Sequence, residues 1–440
     1  MLDLRRLSLW PVVRKLLLGL VVLGVLLLAL IGGLSVTRGT PVEAVLTLAG
    51  DDLPAVQDSL FARTIGMYTG ATLQPGNRVE LRLNGEGSYP QLWQDLRSAR
   101  RSLTVQWYYS QPGAVADTFA AILAERRKAG VDVLLLLDAF GSGPLKGEWV
   151  RRLREQDVQV SWLRPLKWYT LHKTDQRSHV RAVIVDGRIG WTGGFGLADY
   201  WLGDGVSPDE WRETNVRFEG PAVAQLQAAF ATGWAESTGR LLTGDAFFPS
   251  AVFDSVGPTL GALMHTVPSI GSTAAERYMA LTISGARRTL YIANSYFVPD
   301  DDFRGLLTRA SQRGVDVRVL VPGDASDIKS TLWAGRARYE ELLRGGVRVW
   351  EYQPTNMHAK TIVTDGVWTT IGSINFDNRS LAFNDEAALV TLDASLGAQL
   401  DSAYLVDLTH SREIRLADHL ARPWWHRIWE TGASLLSRVL

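Results

Sequence analysis

The 440-residue chain contains no cysteine, which removes disulfides, thiolate nucleophiles and cysteine-ligated zinc from the possible mechanisms. It also lacks an excess of either charge, because 46 basic residues balance 46 acidic ones. No overall field therefore attracts a polyanion, and a nucleic acid is not an expected partner. Acidic residues with metal-ligand spacing are missing as well, so we expect neither a metal nor another cofactor.

Long apolar runs are confined to one place, close to the first residue. Residues 16–34 form a run of nineteen without a charge, enough to cross a hydrocarbon layer as a helix. Basic residues dominate before the run and acidic residues after it: Arg5, Arg6, Arg14 and Lys15, then Arg38, Glu43, Asp51 and Asp52. The positive-inside rule then puts the preceding end in the cytoplasm and the globular part outside. A cleaved signal peptide is the alternative, but the run is longer than usual and no A-x-A-like site follows.

The length exceeds what one hydrophobic core supports, so two domains are expected. Two segments recur in the same order: ARRSL at 99–103 returns as ARRTL at 286–290, and GVDV at 130–133 returns at 314–317. The distances between copies, 187 and 184 positions, nearly agree. GVDV alone is a common helix-to-strand junction, but matches in tandem predict a duplication.

Each copy predicts the same order of elements. A helix leads to an apolar strand (103–109; 290–297), and an amphipathic helix then leads to a second strand (131–137; 315–321). Continuous β-branched and leucine runs indicate strands buried on both faces. We therefore expect two homologous α-β-α sandwich domains of α/β class, over residues 41–245 and 246–415, related by a pseudo-two-fold axis.

A third match carries polar side chains. The residues of the first copy and their counterparts all lie 179 positions apart: His179, Arg181, Asp186 and Gly193-Gly194, against His358, Lys360, Asp365 and Gly372-Ser373. Residues two apart on a strand share a face, so each histidine and its cation should project together into one cleft. An imidazole can attack phosphorus or pass a proton, and a fixed cation can hold phosphate oxygens. The small residues let the backbone approach a phosphate closely.

If the halves face each other, one histidine can attack a phosphodiester while the other protonates the leaving alkoxide. The remaining histidines have no matched partner, and we expect each to be an ordinary core or surface residue: His172, His265, His410, His419 and His426. The aromatic residues that close the repeated strands either line a lipid groove or belong to the core: Tyr108, Tyr109, Tyr296 and Phe297.

The pattern H-x-K-x4-D followed by G-S/G-x-N resembles the signature of the phospholipase D superfamily, and two copies are typical of its two-domain members. The second copy, from His358 to Asn375, is intact. Further stretches are similar to bacterial cardiolipin synthases: GNRVEL at 76–81, DAFGS at 138–142, WRETN at 211–215, FDNRS at 376–380 and NDE at 384–386. The resemblance extends from about residue 61 to the C-terminus.

The resemblance implies a covalent phosphohistidine, with His179 as nucleophile and His358 as acid and base. It assigns Glu213 and Glu386 to orient the imidazoles, and Asp186 and Asp365, which complete the catalytic motif, to hold the turn after each strand. Phosphate binding falls to Arg181, Lys360, Gly194, Ser373 and Asn375.

The implied partner is a phospholipid. Phosphatidylglycerol would be both donor and acceptor, giving cardiolipin and glycerol, in a single-pass protein of the bacterial inner membrane. The alternatives are a hydrolase that yields phosphatidic acid and a relative that binds lipid without turnover. The last is motivated by the first copy, in which Arg181 replaces the lysine and Gly196 replaces the asparagine of the motif.

Two terminal segments complete the prediction. Residues 1–40 are expected to form a cytoplasmic stub and an uncleaved transmembrane anchor. Residues 416–440 mix tryptophan and aliphatic residues with arginine, which predicts an amphipathic helix in the headgroup layer, with docking on the protein's own core as the alternative.

Overall fold

The computed structural model describes residues 10–35, 41–48, 53–166, 168, 176–269 and 271–434. The charged residues at 5, 6, 38, 51 and 52, the histidine at 172 and residues 435–440 of the tail therefore lie outside the described part.

In the described part of the chain, fifteen strands form one continuous sheet, in the order β15-β11-β10-β9-β12-β13-β14-β8-β1-β7-β6-β5-β2-β3-β4. The strands of the first half are β1 Gln74–Leu83, β2 Ser102–Trp107, β3 Asp132–Asp138, β4 Gln159–Leu163, β5 Ala182–Val185, β6 Ile189–Gly193 and β7 Thr214–Glu219. Those that follow are β8 Thr259–Thr266, β9 Thr289–Asn294, β10 Asp316–Pro322, β11 Arg348–Tyr352, β12 Lys360–Thr364, β13 Trp368–Gly372, β14 Glu386–Leu392 and β15 Ser411–Ile414.

The strand order reads the same from both ends, apart from the edge strand β15, which confirms the predicted duplication. Strands β2, β3 and β4 pair in parallel, as do β9, β10 and β11, and the other pairs are antiparallel. The two halves join where β1 pairs with β8. The layered α/β architecture is therefore confirmed, with both sheets fused into one.

Helices cover both faces of this sheet, and further helices lie near the two termini. Their bounds are α1 Trp10–Ser35, α2 Ser59–Thr69, α3 Asn84–Ser98, α4 Ala114–Lys128, α5 Glu148–Glu155, α6 Ala222–Thr238, α7 Ala274–Gly285, α8 Asp301–Gln312, α9 Lys329–Arg336, α10 Tyr339–Arg344, α11 Ala394–Thr409, α12 Leu416–Leu420 and α13 Trp424–Ser434. One face of the first half is covered by α3, α4 and α5, and α6 covers the opposite face. The core under α6 also takes in Leu263, Ile371 and Leu389 of the second half, so it binds the halves together.

Helix α2 departs from the simple order of the repeats. It lies in the range predicted for the first half, yet Phe61 and Ile65 pack into the core of the second half. The ring of Phe61 meets that of Trp368 edge-on, with centroids 4.9 Å apart. Helix α2 therefore belongs to the core of the second half, although it precedes all strands of the first half in the sequence.

The Asp-Gly turns after β5 and β12 form as predicted. Asp186 and Gly187 have φ of 53° and 64°, and Asp365 and Gly366 have 55° and 71°. Two successive positive φ values are typical of the tight turn that joins antiparallel strands. Each turn sends the chain back along β6 or β13 toward the glycine pair.

One long helix forms near the N-terminus, as the sequence predicts, whereas the tail departs from the prediction. Residues Val12–Leu30 of α1 are apolar enough to cross a membrane and lie away from the rest of the protein. The tail forms two short helices, α12 and α13, instead of one. The break falls at residues 421–423, where Pro423 lacks the N–H that a continuous helix would need.

Candidate active site

The two histidines are brought together by an exchange of short strand pairings between the halves. The backbone N–H of His179 donates to the carbonyl of Asp385 at 2.8 Å. In the matching contact, the N–H of His358 donates to the carbonyl of Arg212 at 2.7 Å. Both histidines stand just before their strands, β5 and β12. Each is paired with the residue that precedes the predicted glutamate of the opposite half, Glu386 or Glu213.

A carboxylate of the opposite half holds each imidazole. Nδ1 of His179 lies 3.0 Å from Oε2 of Glu386, and Nδ1 of His358 lies 2.7 Å from Oε2 of Glu213. All four side chains are buried. A carboxylate at Nδ1 favours the tautomer whose Nε2 carries a lone pair, so Nε2 is the atom ready to attack or accept a proton.

A cation stands beside each Nε2. Nη2 of Arg181 is 3.1 Å from Nε2 of His179, and Nζ of Lys360 is 3.1 Å from Nε2 of His358. Both cations also donate to the carbonyl of their own histidine. This fixed geometry fits the predicted pairing of an imidazole with a phosphate-binding cation.

One cavity of about 460 Å³ is lined by both histidines. Arg181 and Asn375 also contribute to its wall. Of the aromatic residues left open by the sequence, Tyr108, Tyr109 and Tyr296 line the cavity, whereas Phe297 belongs to the core. The ring centroid of Tyr108 lies 4.6 Å from that of His179.

Two predicted phosphate-binding residues, Ser373 and Gly194, lie against the glutamates instead. Ser373 is not in the cavity wall: its hydroxyl donates to Glu386 at 2.5 Å, and its carbonyl lies 3.1 Å from Nδ1 of His179. At the matching Gly194, a Cβ would come within 2.4 Å of the carboxylate of Glu213. Small residues here make room for the glutamates rather than for a phosphate. Asn375 does reach the cavity, and its Oδ1 accepts from the hydroxyl of Ser295 at 2.8 Å.

The two motif aspartates lie at the far ends of their strands from the histidines. Asp186 accepts the backbone N–H groups of Arg101 and Ser102 at 2.8 and 3.0 Å. Asp365 does the same for Arg288 and Thr289 at 2.7 and 3.0 Å. Neither lines the cavity, so the structure supports the turn-holding role and not a catalytic one.

The electrostatic environments of the two glutamates differ. Burial raises the pKa of Glu386 to about 7, against the opposing hydroxyls of Ser373 and Ser380. Burial also acts to raise the pKa of Glu213, but His358 and Lys360 outweigh it, and the pKa is lowered. Glu213 is therefore fully ionised at neutral pH, whereas Glu386 shares its population with the protonated form.

The bases and cations are tuned by the same burial. It lowers the pKa of His179 well below the ordinary value, and Arg181 and Lys360 add to this effect. Burial and Lys360 lower the pKa of His358 to about 4, although Glu213 opposes them. Burial likewise lowers the pKa of Lys360 to about 7. Both imidazoles are neutral at pH 7 in the free enzyme.

Sequence reasoning missed two residues that contact the glutamates. The hydroxyl of Ser380 donates to Glu386 at 2.5 Å, and the indole N–H of Trp201 donates to Glu213 at 3.3 Å. These two positions are also 179 apart, so the repeat spacing was a usable signal. The cavity wall further includes Asp377, whose pKa burial raises to about 7.

The unmatched histidines of the described residues lie elsewhere. Those in the described part, at positions 265, 410, 419 and 426, do not line the cavity. Among the described residues, no group of three or more His, Asp or Glu side chains has the arrangement of a metal site.

Known proteins match both the sequence and the fold. The chain is 31% identical over 401 residues to cardiolipin synthase A of Pseudomonas aeruginosa, covering 88% of this chain and 80% of that one. It is 30% identical over 358 residues to the cardiolipin synthase of Alkalihalophilus pseudofirmus, with 81% and 71% covered. The chain belongs to the cardiolipin synthase family. A family model described as cardiolipin synthase, PLD-like domain, matches residues 279–405, which hold the second histidine motif.

A solved structure supports the fold independently. Phosphatidylserine synthase from Haemophilus influenzae superposes with a TM-score of 0.67, at 13% identity, over 86% of this chain and all of that one. The family model and the curated relatives confirm the resemblance to the phospholipase D superfamily. As a member of the cardiolipin synthase family, the chain is an enzyme of the phosphatidyltransferase class.

Proposed function

We propose that the chain transfers a phosphatidyl group from one phosphatidylglycerol to another, giving cardiolipin and glycerol. The observation that carries the proposal is the pair of imidazoles lining one cavity, each held at Nδ1 by a carboxylate of the opposite half. A transfer in two steps needs one nucleophile and one proton carrier at the same phosphorus atom.

His179 is the nucleophile. Its orienting partner, Glu386, has a pKa raised to about 7, so it does little to favour an imidazolium. A neutral imidazole keeps the Nε2 lone pair that attacks phosphorus. The new N–P bond displaces the glycerol alkoxide and leaves the phosphatidyl group on His179.

His358 is the acid and base. The carboxylate of Glu213 at 2.7 Å stabilises a positive ring, and a bound phosphodiester adds negative charge that raises the imidazole pKa from its low value in the free enzyme. His358 therefore takes up a proton from solvent at Nε2 when the substrate binds. In the first step it gives this proton to the departing glycerol oxygen. In the second step it takes the proton of the acceptor hydroxyl, whose oxygen attacks phosphorus and frees His179.

Arg181, Lys360 and Asn375 hold the phosphate. The two cations stand 3.1 Å from the reacting Nε2 atoms, where the non-bridging oxygens of a substrate phosphate would lie. They neutralise charge that grows as the phosphorus becomes five-coordinate.

We further propose that α1 anchors the protein in the bacterial inner membrane with the globular part outside the cytoplasm. The apolar helix and the basic residues that precede position 16 support this orientation. Digestion of spheroplasts with an impermeant protease tests it, since a cytoplasmic globular part would stay intact.

Labelled phosphatidylglycerol in mixed micelles tests the reaction. Cardiolipin with an equal amount of glycerol is the expected product. Phosphatidic acid instead would make the protein a hydrolase, the second candidate. Binding of phosphatidylglycerol without any product would make it a lipid-binding relative without turnover, the alternative that Arg181 and Gly196 motivate.

A further inference from the structure

Helix α13 packs on the protein through the small Ala433, next to Val298 and Ala334, but it turns its large apolar side chains away from the protein. The exposed fractions are 67% for Trp424, 51% for Trp425, 58% for Ile428 and 63% for Trp429. Glu430 of the same helix is buried and forms an ion pair with Arg422 at 3.1 Å. A helix that docks on its own core has the reverse arrangement. Docking therefore does not account for the apolar face of this helix.

This face continues toward the cavity. Helix α13 packs on α9, where the rings of Trp429 and Trp333 lie 6.1 Å apart. The residue just before α9, Ile328, lines the cavity, and so does Thr331 within α9. Trp333 and Ile328 are both partly exposed. The apolar surface thus leads from α13 to the second-half side of the cavity mouth.

The first-half side of the mouth is apolar too. Phe140 lines the same cavity and leaves 66% of its surface exposed. Exposed apolar patches of this kind mark a surface that is covered in the working protein. We define the rim surface as Phe140, Ile328, Trp333, Trp424, Trp425, Ile428 and Trp429.

The chemistry of the rim surface fits a lipid bilayer. Tryptophan is enriched where an apolar layer meets water, and α13 carries four exposed apolar residues beside the exposed basic Arg427. Arg427 suits the phosphates of anionic headgroups. In addition, helix α1 of the same chain has an apolar span that no other part of the protein covers, and this span is long enough to cross a bilayer.

We propose that the rim surface inserts into the outer part of the bilayer, so that the cavity opens directly onto the lipid. A phospholipid then enters the site without passing through water. The inference rests on the proposed lipid substrate, but it concerns the surface that delivers the substrate and not the chemistry.

Site-directed labelling tests the surface without measuring turnover. Because the chain has no cysteine, Ile428→Cys gives a single attachment site for an environment-sensitive fluorophore. In proteoliposomes of phosphatidylglycerol and phosphatidylethanolamine, we expect a blue-shifted emission that lipid-borne spin labels quench and aqueous iodide does not. Leu241→Cys, at an 85% exposed position outside the rim surface, is the matched control and should stay accessible to iodide.

The same label distinguishes a protein partner. If the probe at position 428 behaves like that at 241 in pure lipid and is shielded only in native membranes, the surface binds a protein and the proposal is wrong. If the probe is water-exposed in both preparations, the proposal is also wrong.

Turnover provides a second and separable test. For the full-length double variant Trp425→Ser, Trp429→Ser, we expect at least tenfold less product from bilayer phosphatidylglycerol and unchanged turnover of a water-soluble short-chain analogue. Equal turnover of bilayer substrate by the variant and the wild type would overturn the inference. If the wild type turns over neither bilayer phosphatidylglycerol nor the short-chain analogue, the proposed reaction is wrong. The labelling experiment then tests the rim surface by itself.

Discussion

Around Glu386 the second half supplies the hydroxyls of Ser373 and Ser380, whereas around the matching Glu213 the first half supplies the indole of Trp201 and a glycine. The backbone frame of the two sites is the same, and each glutamate faces the opposite half's histidine. The difference lies in charge, because one carboxylate is ionised and the other sits near its midpoint at neutral pH. A symmetric scaffold has thus acquired two unequal proton environments. That inequality allows one imidazole to attack while the other carries the proton.

The largest expected effect comes from removing either imidazole. His179→Ala and His358→Ala should each lower kcat by roughly 10⁴-fold or more, because one removes the nucleophile and the other the proton carrier. With a labelled phosphatidyl-p-nitrophenol donor, whose leaving group needs no proton from His358, His358→Ala should retain acid-labile radioactivity on the protein, and His179→Ala should retain none.

The retained label also tests the order of the two roles. If radioactivity stays on His179→Ala and not on His358→Ala, the roles are reversed. If both variants turn over at the wild-type rate, the shared site itself is wrong.

Replacing either glutamate should lower kcat less than removing a histidine, and the two glutamate variants should differ from each other. Glu213→Gln removes the charge that supports an imidazolium, so we expect kcat to fall roughly 10²-fold or more. Glu386→Gln replaces a group that is already partly neutral and keeps an acceptor, so a loss of roughly tenfold is expected. Steady-state kinetics at pH 7 measure both variants. Equal losses would mean that the two environments are equivalent in practice.

The pH profile examines the cations. Burial lowers the pKa of Lys360 to about 7, so its positive charge is complete below that pH and is lost as the pH rises through it. Because this pKa belongs to the free enzyme, kcat/KM should decline as the pH rises above about 7. Lys360→Arg keeps the charge at higher pH and should move this decline upward by at least one pH unit, whatever its effect on the maximum rate. An unmoved profile would assign the decline to another group, with Glu386 the first to examine.

The smallest effect concerns the glycine that replaces asparagine in the first half. A Cβ at Gly196 would lie 2.6 Å from the carbonyl of Tyr109 and 2.8 Å from the ring of Trp201. Gly196→Asn should therefore destabilise the fold by about 1–3 kcal/mol through overpacking. Combined with Trp201→Ser, the pattern of the second half at Asn375 and Ser380, the cost should be less than the sum of the single changes. Urea unfolding of the four proteins measures this coupling, and strict additivity would mean that the two positions are independent.

Much of the scaffold could be predicted because its signals are local. The strand at 182–185 and the Asp-Gly turns follow from apolar runs and turn residues within a few positions. The repeat spacing of 179 then identified both histidines and both cations as one set, and the family resemblance added the two glutamates, which lie 173 positions apart. Local patterns also place the tail's apolar residues, but they do not say which way those residues face.

Other features depend on contacts between distant segments and leave no local trace. Nothing near Phe61 indicates that α2 packs against the second half, since that depends on the shape of a core built some 200 positions later. The role of Gly194 was misjudged for the same reason: the group that needs the space, Glu213, comes from a neighbouring strand and not from a substrate. The close approach between a Cβ at Gly196 and the ring of Trp201 is likewise visible only when the volumes are compared.

The exchange of carboxylates between the halves has an evolutionary consequence. Had two identical copies met as separate polypeptides, every substitution would have entered both sides of the axis together. Because the copies share one gene product, each can drift alone, and Arg181 can replace a lysine on one side while Lys360 persists on the other. Fusion thus allows the two copies to differ in sequence. Natural selection can then act on nucleophilic attack and on proton transfer separately.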